Sequence, residues 1–252
     1  MLPVTLVAPA KLTLSLRVTG RRPDGFHHID AEMVTVDLFD DLELGVVDDD
    51  SPTASFEVID AASGAPLDVG PISTNLVTRA LDLVGRRSNV RVIKRIPPGA
   101  GLGGGSSDAA AVLRWAGMTD LDAAAVLGAD VAFCLVGGRA RVRGIGEQVE
   151  SLAFEARTLT LLTPPFGCST AAVYRAWDDL GGLRAEGTND LEPAAITIEP
   201  RLVAWRDRLA ADTGQTPQLA GSGSTWFVPG SFPGDGRLVV RTIPAPPEPE
   251  PA

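Results

Sequence analysis

The stretch Pro97-Pro-Gly-Ala-Gly-Leu-Gly-Gly-Gly-Ser-Ser-Asp108 limits what this chain can fold into more than any other. Five of the seven residues from Gly99 to Gly105 are glycine. Ordering each one forfeits about 0.5–1 kcal/mol relative to alanine, a cost a plain turn seldom carries. The loop runs into Ala109-Ala-Ala-Val-Leu-Arg-Trp115, whose opening residues are strong helix formers. Glycine allows positive φ and close backbone approach. A helix start supplies unpaired N–H groups and partial positive charge. The pair predicts a cradle for a phosphate group. Ser106 and Ser107 fall at the helix start, where a serine hydroxyl caps the helix with or without a ligand.

Two familiar glycine motifs do not fit. Gly99, Gly101 and Gly104 satisfy G-x-G-x-x-G, and Asp120 or Asp122 follows where a dinucleotide's ribose ligand would stand. The first strand of a dinucleotide fold is buried on both faces and continuously apolar. Here Val90, Val92 and Ile96 alternate with Arg91, Lys94 and Arg95, and Pro97-Pro98 separates strand from loop. No Gly-Lys-Ser/Thr closes the loop, which excludes a Walker A motif.

The remaining composition is that of a soluble globular chain of one large or two ordinary domains: 252 residues, 44% hydrophobic and 21% charged. A net charge of −10 argues against a general nucleic-acid binder, though a local pocket can oppose the global charge. Cys134 and Cys168 have apolar or small neighbours and no C-x-x-C spacing, which predicts two buried free thiols. No run approaches the roughly 18 apolar residues of a membrane span. Residues 1–11 lack the basic region and long apolar core of a signal peptide. The expectation is a cytoplasmic protein with neither membrane nor nucleic acid as partner.

Residues 11–18 alternate as a half-buried strand, with Leu12, Leu14, Leu16 and Val18 on one face and Lys11, Thr13, Ser15 and Arg17 on the other. Turn residues 20–25 follow, then a second strand over 33–44, a loop at 48–52 and a third strand from Phe56. A helix is expected from Asn75, a strand over 89–96, and, after the glycine loop and its helix, a short buried strand at 131–136 opened by Asp130. A second half starts near 153, with a strand at 158–163, helices at 170–180 and 200–211, and a glycine turn entering a strand over 218–228. Residues 244–252 hold five prolines in nine and read as a disordered, extended tail.

The segment from Pro97 to Ser107 resembles the phosphate loop of the GHMP kinases (galactose, homoserine, mevalonate and phosphomevalonate kinases). Further segments match the same family in order: Ala8–Leu14, Arg22–His27, Asn75-Leu-Val77, Leu127–Val131, Ser169-Thr170 with Val173-Tyr174, Asn189–Glu192 and Ala220–Thr225. They span residues 8 to 228 and are most similar to the branch whose acceptor is a cytidine-diphosphate-linked methylerythritol. The resemblance implies an α+β fold, with a ribosomal-protein-S5-like domain over 1–152 and a ferredoxin-like domain over 153–243. It implies ATP and Mg2+ as cofactors, a small-molecule acceptor, and a monomer or weak homodimer.

Residue by residue, the resemblance makes Lys11 and Asp130 the catalytic pair. It assigns Pro97, Pro98, Gly99, Ala100, Gly101, Leu102, Gly103, Gly104, Gly105, Ser106 and Ser107 to the nucleotide, with Ser107 a candidate metal ligand. It assigns Phe26, His27, Tyr174, Gly221, Ser222 and Gly223 to the acceptor. Without it, Lys11 reads as a solvated strand residue, Asp130 as a turn or capping aspartate, Phe26 and Tyr174 as packing residues, His27 as a turn histidine and Gly221–Gly223 as a turn. The chain departs from the family pattern at Thr13 (usually Asn), Phe26 (usually Tyr), and Ala132 and Ser224 (usually Pro). The stretch before Leu127 is also shorter than usual, which predicts a loss of part of a helix.

Overall fold

The computed structural model describes residues 4–47 and 54–246. The expected loop at 48–52 and most of the proline tail lie outside the described residues. Strands β1 (Val4–Arg21) and β2 (His27–Gly45) form a long antiparallel hairpin, far longer than the two strands expected. β2 is the spine of the first sheet. Its first half pairs with β5 (Arg139–Gly144) and its second half with β4 (Asn89–Lys94), both antiparallel. β3 (Phe56–Asp60) adds to β4 in parallel, and β6 (Gln148–Ser151) closes the other edge.

The hairpin is irregular, and its irregularities matter. Register shifts fall between Pro9 and Lys11 and between Thr13 and Ser15. At the second, β1 advances two residues while β2 advances one, which turns the following side chains over. The simple alternation expected for Leu12, Leu14, Leu16 and Val18 therefore fails. Leu12 and Leu14 pack in one apolar cluster, Leu16 and Val18 in another.

The second sheet holds β7 (Thr158–Leu162), β8 (Gln218–Leu219), β9 (Trp226–Pro229) and β10 (Arg237–Arg241) in the order β10-β7-β9-β8, antiparallel throughout. That is the strand order of a ferredoxin-like sandwich with its second helix missing. β9 and β10 both run antiparallel to β7, so they are parallel to each other. Such crossovers usually take a dozen or more residues. Here only residues 230–236 make the passage. The buried Thr160 hydroxyl, midway along β7, donates to Gly230 O at 2.8 Å and accepts from Phe232 N at 3.0 Å. The connection thus crosses the face of β7.

The two sheets pack face to face. Ala10, Leu12, Leu14, Val34, Val36 and Leu102 from the first half meet Leu159, Leu161, Phe227 and Val240 from the second. On the outer faces lie the helices: α1 (Leu76–Leu83), α2 (Gly104–Trp115), α3 (Leu121–Leu127) and α4 (Val131–Val136) in the first half, and α5 (Thr170–Asp179), α6 (Glu192–Ile198) and α7 (Leu202–Thr213) in the second. α2 packs on β1 and α7 on β9. No helix among the described residues is long and apolar enough to cross a membrane.

Residues 131–136 form helix α4 and not the strand expected. A six-residue apolar run does not distinguish a buried strand from a buried helix turn, and five of its residues are buried all round. Helix α2 starts at Gly104, earlier than its first alanine, with Gly103 in left-handed conformation as the N-cap. Ser106 and Ser107 consequently lie inside the first turn and cap nothing. Helix α3 follows α2 after residues 116–120, so one short helix occupies the abbreviated stretch between the glycine-loop helix and Leu127.

Candidate active site

Lys11 and Thr13 point away from Leu12 and Leu14, toward the ends of α2 and α4. Lys11 is 5% exposed, which excludes a solvated strand lysine. Its Nζ lies 3.1 Å from Asp130 Oδ2 and donates to Thr13 Oγ1 at 3.1 Å. A buried ammonium needs such partners. Asp130 takes the N-cap position of α4, yet its carboxylate makes no capping bond there and faces Lys11 instead. Thr13, one of the departures from the family pattern, supplies the hydroxyl that holds the lysine.

The glycine loop is tied down on both sides. Lys11 N donates to Leu102 O at 3.0 Å, Thr225 N to Ala100 O at 3.1 Å and Cys168 N to Gly99 O at 3.3 Å. Gly101 (φ +80°) passes so close to the second small-residue loop that a β-carbon would stand 2.5 Å from Ala220 O. At Gly103 (φ +69°) it would stand 2.6 Å from Lys11 Cγ. Glycine is required at both positions by conformation and by space. The loop and the first turn of α2 line a cleft of about 420 Å³, from Pro97 to Ser106, which extends to Val58, Val69, Asn75 and Leu76. Ser107 is outside it: it is wholly buried, and its hydroxyl donates to Pro9 O at 2.5 Å. That bond anchors α2 to β1 and turns the hydroxyl away from any metal in the cleft.

A second cleft of about 560 Å³ is lined by Lys11, Thr13, Phe26, His27, Tyr174, Gly221 and Ser222, among others. Phe26 is 58% exposed, so it is no packing residue. The His27 ring stacks on Tyr174 with centroids 4.8 Å apart and meets Trp177 edge-on at 5.6 Å. Burial pushes the Tyr174 hydroxyl well above its usual range, which keeps it neutral. Gly223 lines the first cleft and Gly221 and Ser222 the second. Asn189 fixes this loop by donating to Leu219 O at 2.9 Å and Gly221 O at 2.6 Å. The two clefts meet at Gly101, Asp130 and Thr170.

Several residues of the site were given no role by the sequence. Thr170 joins Ser222 hydroxyl to hydroxyl at 2.9 Å, and both line the second cleft. Lys94 lies beneath the start of α2, its Nζ 2.5 Å from Asp40 Oδ2 and 2.7 Å from Asp108 Oδ2. Two carboxylates thus share one ammonium in a dry setting. Burial, with the added negative charge of Asp40, pushes the Asp108 carboxyl up to about 7. Cys134 is buried as expected and its thiol is pushed up to about 12 by burial. Cys168 is instead half-buried and lines the glycine-loop cleft.

Comparison with known proteins gives the chain's family. The family described as "GHMP kinases N terminal domain" matches residues 75–138. The chain is 36% identical to a 4-diphosphocytidyl-2-C-methyl-D-erythritol kinase of Pelotomaculum thermopropionicum over 262 residues, covering 89% of this chain and 88% of that one. It is 36% identical to the kinase of the same name from Mesorhizobium japonicum over 258 residues, covering 87% and 84%. A crystal structure of 4-(cytidine 5'-diphospho)-2C-methyl-D-erythritol kinase superposes with a TM-score of 0.70 at 30% identity, covering 95% of this chain and 99% of that one. A mevalonate kinase structure shares the fold alone, with a TM-score of 0.54 at 12% identity over 96% of this chain and 99% of that one. The chain belongs to the 4-diphosphocytidyl-2-C-methyl-D-erythritol kinase family, a branch of the GHMP kinases.

Proposed function

We propose that this chain transfers the γ-phosphoryl group of ATP to the 2-hydroxyl of 4-diphosphocytidyl-2-C-methyl-D-erythritol. One observation carries this beyond family membership: two clefts of different character converge on one ion pair. The cleft with the glycine loop suits a nucleotide. Its backbone N–H groups and the start of α2 would receive the phosphates, and Val58, Val69 and Leu76 offer an apolar wall for a base. The cleft with Phe26, His27 and Tyr174 suits a second aromatic base, and Gly221 and Ser222 stand where a diphosphate would run. Asp130, common to both, would accept the proton of the acceptor hydroxyl as it attacks phosphorus. Lys11 holds that carboxylate and offsets charge developing on the transferred group.

Mg2+ is usually held by one or two carboxylates together with substrate phosphates. The carboxylates lining the phosphate cleft are Asp130 and Asp108, with the Ser106 hydroxyl nearby. These fit an ion carried in on the nucleotide, where it would neutralise phosphate charge. In this reading the protein works in the cytoplasm as a monomer or weak homodimer, without nucleic acid as a partner.

ADP release measured with the cytidine-linked acceptor, mevalonate, homoserine and galactose in parallel tests the assignment. Turnover is expected with the first. Turnover confined to one of the others would overturn it.

A further inference from the structure

Asp178 on α5 is not among the residues a kinase mechanism uses, yet it faces the acceptor cleft and holds His27. His27 Nε2 lies 2.8 Å from Asp178 Oδ1, and the other oxygen, Oδ2, lies 3.5 Å from Arg21 Nη1. The ring is clamped further by Tyr174 on its face and Trp177 at its edge. A carboxylate only accepts, so the N–H of a neutral imidazole must sit on Nε2. Nδ1 is then a bare lone pair. Among the described residues Nδ1 has no hydrogen-bond partner, and His27 lines the cleft.

We propose that Asp178 is a specificity-positioning residue: by fixing the His27 tautomer it makes Nδ1 an acceptor that selects a cytosine over a uracil in the acceptor substrate. Cytosine carries an exocyclic amine at its 4-position, a donor, where uracil carries a carbonyl, an acceptor. Against Nδ1 the first forms a hydrogen bond, and the second sets lone pair against lone pair. Discrimination of this kind is strong because the mismatched group is left unpaired in the site. This rests on the acceptor being cytidine-linked, as proposed above.

The chain contains two histidines, so nitrogen-15 chemical shifts of the imidazoles can be assigned with His28 as the alternative. The wild-type protein is expected to show His27 as the Nε2–H tautomer. It should prefer the cytidine-linked acceptor to its uridine-linked counterpart. Asp178→Leu, which removes the acceptor altogether, should lose the tautomer preference. It should also reduce the cytidine-to-uridine ratio in kcat/KM by about tenfold or more, the size of one base contact, with the loss appearing in KM for the acceptor. Asp178→Glu should restore both. An Nδ1–H or doubly protonated His27 in the wild type, or an unchanged ratio in Asp178→Leu, would overturn the proposal. Absence of wild-type turnover on either pyrimidine acceptor would instead overturn the assignment of substrate. KM for ATP in each variant reports whether the fold has survived.

Discussion

The Lys11–Asp130 pair shows how much two side chains can do once water is excluded from one of them. Lys11 is sealed by Gly103, Thr13 and Asp130, while Asp130 remains partly open where the clefts meet. Asp130→Asn keeps the shape and removes the proposed base. It should lower kcat by about 10²–10⁴-fold, with thermal stability little changed; turnover near that of the wild type would remove Asp130 from the chemistry. Beneath the loop, Asp108 is a different case. Its carboxyl titrates at about 7 in the folded chain against an ordinary 3.8. Folding therefore takes up a proton between those values, so this group's contribution to stability is full below pH 4 and is lost as pH rises through 7. Asp108→Asn cannot lose a proton. The melting temperature of this variant, relative to wild type, should rise between pH 5 and pH 8, and a pH-independent difference would show that Asp108 does not titrate in this range.

Among the elements, the glycine loop and the Gly221–Gly223 loop act as one unit, because Gly101 lets their backbones touch. Gly101→Ala should destabilise the protein by about 1–3 kcal/mol through forced left-handed backbone and collision and raise KM for ATP. Gly105→Ala has room, with Leu76 Cδ1 3.9 Å from the added carbon, and sits in helix α2. Its stability should be unchanged or higher by up to about 1 kcal/mol; chemical denaturation separates the two cases. The glycine loop was legible because positive φ has few other solutions, and Lys11, His27 and Asp130 because they stand in motif-bearing segments. The bulge at Thr13–Ser15 was not, since nothing local distinguishes a bulged alternation from a regular one. Helix α4 was misread because six apolar residues fit either period. Asp178 was invisible for another reason: it meets His27 across 151 residues of chain, and only the hairpin and α5 together bring it there.

At the scale of the whole molecule, the boundary drawn near residue 152 separates two sheets but not two cores. Each apolar cluster draws on residues from both sides of it. Calorimetry should therefore show a single unfolding transition whose calorimetric and van't Hoff enthalpies agree, and residues 1–152 alone should give no cooperative transition. Two resolved transitions would mean that the halves fold separately. The shared core also sets a clock on synthesis. The face built by Leu12, Leu14, Val34, Val36 and Leu102 is complete in sequence long before Leu159, Leu161, Phe227 and Val240 exist to cover it. At bacterial or eukaryotic elongation rates of about 5–20 residues per second, the gap lasts on the order of ten seconds. During that time the nascent chain presents an uncovered apolar sheet to the cell, and a chaperone that binds such surfaces has its natural opening there.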